Sequence, residues 1–270
     1  IGGPAKRMAF PKTREQLVVL MGFLQDAGVK PLLIGNGTNL LVADKGLDTV
    51  VIDTSAELSH IELTDEGEIA ADAGVSLAKL ALFAWKNGLT GLEFAHGIPG
   101  TLGGAICMNA GAYGGEMRQV VTEVTALLPE GVRRFTAEEA AFGYRRSTFL
   151  DTEAVVLGAR LRLTPDDPAA IRQRMDDLMA RRRQSQPLEY PSAGSTFKRP
   201  EGYFAGTLIE QTGLKGLTVG GAQVSTKHAG FVINVGGATS ADVEELIRQV
   251  QQAVYAAHGV HLEPEVRIVR

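Results

Sequence analysis

The 270-residue chain has little of several residue types, and each shortage excludes a class of protein. Its single cysteine, Cys107, cannot build an intrachain disulfide framework, which predicts a reducing compartment. No apolar run approaches the roughly 18 residues that a membrane-spanning helix needs. No charged-then-apolar signal segment opens the chain either, so we expect a soluble, cytoplasmic protein. The net charge of −4, with scattered lysines and arginines, is not that of a general nucleic-acid binder.

Few side chains are arranged for metal or hydrolase chemistry. The five histidines and the carboxylates lack metal-ligand spacing, so no metal is predicted. Cys107 lies between Ile106 and Met108 with no base beside it, which favours a buried structural thiol over a nucleophile. Ser195 is followed by Thr196 and Phe197, so it is not in the G-x-S-x-G elbow of a hydrolase.

Glycine, by contrast, is abundant and concentrated. Eight of the 32 glycines fall within residues 91–117, where the only charged side chains are Glu93 and Glu116. Glycine reaches positive φ and lets another molecule approach the main chain closely. The stretch therefore suggests backbone N–H groups around an anionic ligand such as a pyrophosphate, with plain tight turns as the alternative.

Hydrophobic periodicity predicts an α+β protein in two parts. Short strands dominate the first 163 residues, and a Pro- and Asp-containing boundary at 164–168 precedes a smaller α+β part. The predicted helices cover residues 12–28, 76–87 (capped by Ser76), 169–184, 205–213 and 240–258 (capped by Ser240).

Two strand predictions bear on function. The apolar residues 32–34 and 40–42 flank Gly35-Asn36-Gly37-Thr38-Asn39, which favours a hairpin, with a phosphate- or ribose-binding turn as the alternative. Residues 260–270 are predicted as one strand, on which Glu265 and Arg267 would share a face. Separately, Arg145 and Arg146 follow an aromatic residue and could bind a carboxylate or phosphate, although a surface salt bridge is equally compatible.

Five motifs, in order along the chain, resemble those of the bacterial UDP-N-acetylenolpyruvoylglucosamine reductases. They are GNGTNLLV, AHGIPGTLGGAICMNAGAYGGE, FGYRRSTF, PSAGSTFK and LEPEVR, and the resemblance extends from residues 2–5 to residues 264–269. The chain is similar to the shorter branch of that family, which lacks an extra tyrosine-bearing loop. Arg199 departs from the pattern, because some members carry asparagine there.

The resemblance implies a fold and a reaction. The fold is the FAD-binding fold of the vanillyl-alcohol-oxidase (PCMH) type over residues 1–164, with subdomains of about 1–55 and 56–164. A substrate-binding domain would follow at residues 165–270. The reaction is the NADPH-dependent reduction of UDP-N-acetylglucosamine enolpyruvate to UDP-N-acetylmuramate for peptidoglycan synthesis, with non-covalent FAD. The oligomeric state is left open, and a monomer is compatible with the sequence.

The resemblance also implies site residues. The implied catalytic residues are Arg145, Ser195 and Glu265, which also bind substrate together with Lys198, Lys227 and His228. The implied FAD-binding residues are Gly35, Asn36, Gly37, Thr38, Asn39, Leu40, His96, Gly97, Ile98, Pro99, Gly100, Thr101, Gly103, Gly104, Asn109, Ala112, Tyr113 and Gly114.

Two other functions remain open at the level of sequence. One is another FAD-dependent oxidoreductase of the same fold acting on a sugar or alcohol, for which His96 is the histidine available for covalent flavin attachment. The other is a non-catalytic nucleotide-sugar binder. The joint presence of Arg145, Ser195 and Glu265 argues against the binder, because binding alone needs no proton donor.

Overall fold

The structure is a computed structural model that describes residues 1–150 and 152–270. Over these residues the chain forms six α-helices: α1 (Arg14–Asp26), α2 (Leu77–Lys86), α3 (Leu102–Cys107), α4 (Pro168–Ser185), α5 (Ala205–Gln211) and α6 (Ser240–His258). The strands are β1 (Ala5–Ala9), β2 (Leu32–Ile34), β3 (Leu40–Val42), β4 (Leu47–Asp53), β5 (Ile61–Leu63), β6 (Ile69–Asp72), β7 (Leu89–Thr90), β8 (Gly111–Ala112), β9 (Gly115–Glu116), β10 (Val121–Leu128), β11 (Gly131–Thr136), β12 (Val155–Leu161), β13 (Thr164–Pro165), β14 (Ser192–Ser195), β15 (Thr218–Val219), β16 (Ala222–Val224), β17 (Phe231–Asn234) and β18 (Arg267–Val269).

The chain divides into two compact units. The larger unit contains residues 7–37 and 49–181, and the smaller unit contains residues 1–6, 38–48 and 182–270. This division differs from the predicted domain boundary at 164/165, because residues 38–48 group with the C-terminal part and α4 runs across residue 181. The predicted domain and subdomain limits stay predictions.

The larger unit is built on an antiparallel five-stranded sheet in the order β11-β10-β12-β6-β5. Helices α2 and α3 belong to its main apolar core, which includes Leu80, Leu102 and Ile106. A second core packs Leu17 and Leu24 of α1 with residues of β4 and β12. Ser76 caps α2 as predicted, since its Oγ accepts a hydrogen bond of 3.2 Å from the Lys79 N–H.

The smaller unit has a four-stranded antiparallel sheet in the order β14-β17-β16-β15. Helix α6 buries its predicted apolar face, including Leu246, Val250 and Val254, in the core of this unit. The Asp44 carboxylate accepts hydrogen bonds from the backbone N–H groups of Ser240 (2.7 Å) and Ala241 (3.1 Å) at the start of α6. The segment 38–48 is therefore fastened to the C-terminal part of the chain.

The predicted hairpin of residues 32–34 with 40–42 is wrong. Strand β2 pairs in parallel with β4, whereas β3 pairs in parallel with β18. The Asn-Gly dipeptide at Asn36-Gly37 correctly predicts a residue with positive φ (Gly37, +63°). Strands β2 and β3 nevertheless pair with other strands and not with each other. The stretch is therefore a loop between two sheets.

Three smaller expectations also need correction. The cap of α6 is Thr239, one residue earlier than predicted, and Asp242 completes a capping box with it. The final strand is confined to Arg267–Val269, so Glu265 lies before it and the predicted shared strand face is wrong. Cys107 is half-buried at the end of α3 rather than fully buried.

Candidate active site

Two of the glycine-containing segments predicted to bind FAD lie against each other in the larger unit. The Asn36 side-chain amide donates a hydrogen bond of 3.3 Å to the Pro99 carbonyl. Gly35 lies so close to Thr101 that an added Cβ would be 2.1 Å from Thr101 Oγ1. The sequence predicted both segments for one ligand, and the structure brings them into contact.

Gly104 gives the clearest indication that another molecule approaches this surface. It lies in α3, it is exposed, and its φ is not positive. An added Cβ would meet only Thr101 Oγ1, at 3.8 Å, so packing within the protein does not require glycine there. Glycine inside a helix costs about 1 kcal/mol relative to alanine. The residues therefore fit a large ligand, such as a dinucleotide, lying against the main chain.

Other glycines of the stretch 91–117 serve the fold itself. Gly103 donates its N–H to the Ala73 carbonyl at 2.8 Å, and a Cβ on it would be 2.9 Å from Ala73 Cβ. A Cβ on Gly115 would be 2.4 Å from the Phe94 ring. Packing within the protein, in α3 and β9, therefore requires glycine at these two positions, and neither a ligand nor a tight turn is needed to explain them.

The contact between Gly35 and Thr101 leads to a testable prediction. Gly35→Ala should destabilise the protein by about 1–3 kcal/mol and weaken FAD binding, because the new methyl forces the two segments apart. Thermal unfolding and a flavin-fluorescence titration would measure both effects. Gly22→Ala is the matched control, since nothing lies within 4 Å of a Cβ there. Adding Thr101→Ala should restore part of the loss, and a Gly35→Ala protein with wild-type stability and affinity would contradict the prediction.

The carboxylate of Glu93 anchors the turn at the start of the glycine-rich stretch. It accepts hydrogen bonds from Thr90 Oγ1 (2.7 Å), Gly91 N–H (2.8 Å) and Arg174 Nε (2.9 Å). Burial by itself raises the pKa of Glu93, but these three donors outweigh it and lower the pKa below its usual value. Glu93 is therefore ionised and structural at neutral pH.

His96 follows this anchored turn. Burial lowers its pKa, and the positive charge of Arg172 lowers it further, so the ring is neutral at pH 7. Its Nδ1 is buried and has no hydrogen-bond partner in the part of the chain that the structure describes. Its predicted contact with FAD stays a prediction.

Tyr113 and Gly114 form the two-residue turn of the small hairpin β8–β9. Their φ angles are +54° and +86°, as a type I′ turn requires. Tyr113 is exposed, as a side chain that contacts a bound ligand would be. Ala112 ends the first strand of the same hairpin.

Arg145 lies in a two-residue turn closed by reciprocal backbone hydrogen bonds between Gly143 and Arg146. Its φ is +54°, an unusual value for a residue other than glycine. Both terminal nitrogens of the guanidinium are 3.4 Å from the Gly111 carbonyl oxygen. The side chain is half-buried, whereas the neighbouring Arg146 is exposed.

Ser195 and Glu265 lie on adjacent segments of the smaller unit. Residues 196–198 run antiparallel to residues 263–265, with hydrogen bonds from Glu265 N–H to the Thr196 carbonyl (2.8 Å) and from Lys198 N–H to the Glu263 carbonyl (2.8 Å). Ser195 is exposed at the end of β14, and Glu265 is half-buried. The structure thus brings together the two segments that carry these predicted catalytic residues, which are 70 positions apart in the sequence.

The predicted cofactor residues of the smaller unit support the same region. The Asn39 side-chain amide donates a hydrogen bond of 3.0 Å to the Glu265 carbonyl, and the Asn39 carbonyl accepts one of 2.9 Å from the Arg267 N–H. Leu40 then begins β3 opposite Arg267. Asn39 therefore fixes the main chain at Glu265, and Thr38 precedes it in the same turn.

The three remaining substrate-binding candidates differ in how they are held. Lys198 forms an ion pair with Glu263, and Lys227 donates a hydrogen bond of 2.8 Å to the Arg183 carbonyl. Burial, together with the charge of Lys215, lowers the pKa of His228. Its Nδ1 accepts a hydrogen bond of 3.1 Å from Gly230 N–H, which places the proton of the neutral ring on Nε2. The guanidinium of Arg199 lies 3.9 Å from the centre of the Phe204 ring.

Neither metal ligands nor a membrane span can be recognised in residues 1–150 and 152–270. No group of three or more His, Cys, Asp or Glu side chains there could hold a metal ion. No helix in those residues is both long enough and apolar enough to cross a membrane. The cytoplasmic location stays a prediction.

Comparison with known proteins identifies the family. A model of the UDP-N-acetylenolpyruvoylglucosamine reductase C-terminal domain matches residues 186–269, and a model of a FAD binding domain matches residues 5–136. A protein from Limosilactobacillus reuteri named UDP-N-acetylenolpyruvoylglucosamine reductase is 49% identical over 269 residues, covering 99% of this chain and 90% of its own length. The chain belongs to the UDP-N-acetylenolpyruvoylglucosamine reductase family. A reductase of the same name from Caldanaerobacter subterraneus is 48% identical over 270 residues, covering 100% of this chain and 89% of its own length.

A solved structure extends the likeness to three dimensions. The UDP-N-acetylenolpyruvylglucosamine reductase (MurB) of Thermus caldophilus matches with a TM-score of 0.84 and 36% identity, covering 97% of this chain and 92% of that chain. Together with the FAD-binding match, this confirms the predicted fold class, an α+β FAD-binding region followed by a smaller α+β domain.

Sequence reasoning missed the residues that hold the segments of the candidate site in place. Asn109 is 1% exposed, and its side chain bonds to Glu116 (2.9 Å), to the Gly143 carbonyl (3.0 Å) and to Arg118 N–H (2.9 Å). Its predicted contact with FAD stays a prediction. Glu93 and Glu116 were visible as the only charges in the glycine-rich stretch. Two isolated charges in an otherwise uncharged stretch were the sequence signal that each carboxylate has a specific partner.

Proposed function

We propose that this chain reduces the enolpyruvyl group of UDP-N-acetylglucosamine enolpyruvate to the lactyl ether, with NADPH as reductant and non-covalent FAD. Relatives of that name at 47–49% identity over the whole chain support the activity. The structural observation that supports the assignment is the antiparallel contact of residues 196–198 with 263–265, which brings together the segments that carry Ser195 and Glu265. The product would be UDP-N-acetylmuramate, a precursor of peptidoglycan.

The cofactor would be held by main chain rather than by charge. Gly35–Gly37 and Gly97–Thr101 contact each other in the larger unit, and Gly37 and Gly104 leave space for a ligand to approach the backbone closely. Ile98 and Pro99 lie within this region, and Ala112–Gly114 form the neighbouring hairpin tip. These residues would hold FAD, which, when bound, would take up hydride from NADPH and supply it to the substrate.

Arg145 and Glu265 would polarise the substrate. The substrate carries a carboxylate beside the enol double bond, and hydride addition at the β carbon places negative charge on an enolate that includes this carboxylate. The Arg145 guanidinium has the charge and planar donor geometry to bind it. Such a donor stabilises the charged transition state more than the ground state. Glu265, half-buried and fixed through its main chain, would act as a second polarising group in its protonated form, in which the carboxyl O–H donates a hydrogen bond to the enolate.

Ser195 would complete the reaction by donating its hydroxyl proton to the α carbon. Hydride at the β carbon and a proton at the α carbon together saturate the double bond, so atoms and charge balance. Exposure of Ser195 at the end of β14 leaves its hydroxyl accessible to a substrate. Lys198, Lys227 and the Nε2–H of His228 would bind the diphosphate or the carboxylate.

The proposed function can be tested with the purified protein and two reagents. The protein should be yellow, NADPH should bleach it, and the enolpyruvyl substrate should restore the colour. A colourless protein without flavin affinity would contradict the proposal. Denaturation should release the flavin, whereas retention on the chain would favour an oxidoreductase with flavin attached at His96. The relatives support the reductase and neither the alternative oxidoreductase nor the non-catalytic binder.

A further inference from the structure

Cys107, Asn109 and Gly111 of the glycine-rich stretch each contact the segment that carries Arg145. The Cys107 carbonyl accepts a hydrogen bond of 2.9 Å from Ser147 Oγ. The Asn109 amide donates one of 3.0 Å to the Gly143 carbonyl, and the Gly111 carbonyl lies 3.4 Å from the Arg145 guanidinium. All these residues belong to the larger unit. The turn of Arg145 is therefore attached before, at and after the arginine.

Asn109 is the most constrained of these residues. Both hydrogens of its side-chain amide are used, by Glu116 Oε2 and the Gly143 carbonyl, and its oxygen accepts the Arg118 N–H. Its backbone adopts a φ of +42°, which asparagine tolerates better than most residues. No amide hydrogen is left for a cofactor. The side chain instead links the hairpin β8–β9 to the first residue of the Arg145 turn.

Ser147 fixes the other end of the same turn. It is 8% exposed, and besides donating to Cys107 its Oγ accepts a hydrogen bond of 3.2 Å from Phe149 N–H. The neighbouring Phe149 is buried in the core, stacked edge-on against Phe135. The turn is thus anchored to the hydrophobic core through one hydroxyl group.

The turn needs such support because its conformation is unfavourable. A residue other than glycine at a φ of +54° costs roughly 1–2 kcal/mol. Arg145 also has several rotatable bonds, so its guanidinium would otherwise sample many positions. Loss of about 1 Å in the placement of a binding group can reduce the rate about a hundredfold.

We propose that Asn109 and Ser147 are positioning residues that act on the reaction through Arg145. This inference rests on the proposed function, in which Arg145 binds the substrate carboxylate. It differs from the sequence-based prediction that Asn109 contacts FAD.

The test measures the two half-reactions separately in a double-mutant cycle. Asn109→Gly keeps the positive φ and removes only the side chain, and Ser147→Ala removes the hydroxyl. Each should lower kcat/KM for oxidation of the reduced enzyme by the enolpyruvyl substrate about 10- to 100-fold and raise KM. Bleaching by NADPH and FAD affinity should stay within about twofold of wild type. In an Arg145→Ala background, adding Asn109→Gly should change the substrate step by less than about twofold.

Controls and contrary outcomes separate the two proposals. Ser147→Thr retains the hydroxyl and should restore most of the activity, and this pair remains informative if Asn109→Gly does not fold. The positioning role fails if the effects of Asn109→Gly and Arg145→Ala on the substrate step multiply in the double mutant. It also fails if FAD affinity falls as much as the substrate step does. Neither result contradicts the proposed function. If Arg145→Ala leaves the substrate step unchanged, the role of Arg145 in the proposed function fails and the inference fails with it.

Discussion

Replacing Ser195 by alanine should reduce the rate at which the enolpyruvyl substrate reoxidises the enzyme by about 10²–10⁴-fold. This is the usual contribution of a positioned proton donor. Bleaching of the flavin by NADPH should be unchanged, because that step requires no proton at the α carbon. Stopped-flow absorbance measures the two steps independently. Ser195 is exposed at the end of β14, so the substitution should leave the thermal unfolding temperature nearly unaffected.

Ser192 provides the matched control for this experiment. It lies in the same strand and is also exposed, and its Oγ accepts a hydrogen bond of 3.4 Å from Gly194 N–H. Ser192→Ala should therefore retain both steps. Equal losses of the two steps in Ser195→Ala would refute its role as the proton donor and point to a disturbed flavin site instead.

Replacing Arg145 by alanine should slow the substrate step by about 10²–10³-fold, equivalent to roughly 2.7–4 kcal/mol of transition-state stabilisation. The guanidinium is the charged group that we assign to the substrate carboxylate. Arg145→Lys should recover only part of the loss, because an ammonium group cannot offer two parallel donors. Rapid-reaction measurements with varied substrate concentration would show both a raised KM and a lowered maximal rate.

Arg146, the next residue, provides the matched control for Arg145→Ala. Arg146 closes the same turn through its main chain but points an exposed side chain to solvent, so Arg146→Ala should keep wild-type kinetics within about twofold. Similar losses at the two positions would mean that the general positive charge of the turn matters rather than the placement of Arg145. The sequence could distinguish Arg145 from Arg146 as the substrate-binding arginine only through the family resemblance.

Local signals explain why much of the fold was predictable. Helices α1, α2 and α6 each bury one apolar face and begin at a polar cap, and both features are encoded within about 20 consecutive residues. The hairpin β10–β11 is similarly local, with a short turn at residues 129–130. The order of the five motifs indicated the family, because each motif is a run of consecutive residues that can be recognised without knowledge of tertiary contacts.

The errors came from contacts between distant residues. Nothing in residues 32–42 reveals that β3 pairs with Arg267–Val269, so adjacent strands were assigned to each other. The pairing of residues 196–198 with residues 263–265 is a long-range contact of the same kind. The family resemblance assigned Asn109 to FAD, and its hydrogen bonds to Glu116 and to the Gly143 carbonyl could not be read from the sequence.

The parallel pair β3–β18 has a consequence for synthesis of the protein. The Asn39–Glu265 hydrogen bond joins residues 226 positions apart. At about 5–20 residues per second, a ribosome needs on the order of 10–45 s to make the intervening chain. Residues 49–181, the part of the larger unit that follows Asn39, are made during the earlier part of that interval. Leu40–Val42 meanwhile remains a short apolar strand whose partner, Arg267–Val269, has not yet been made, so its edge is open to wrong strand pairing.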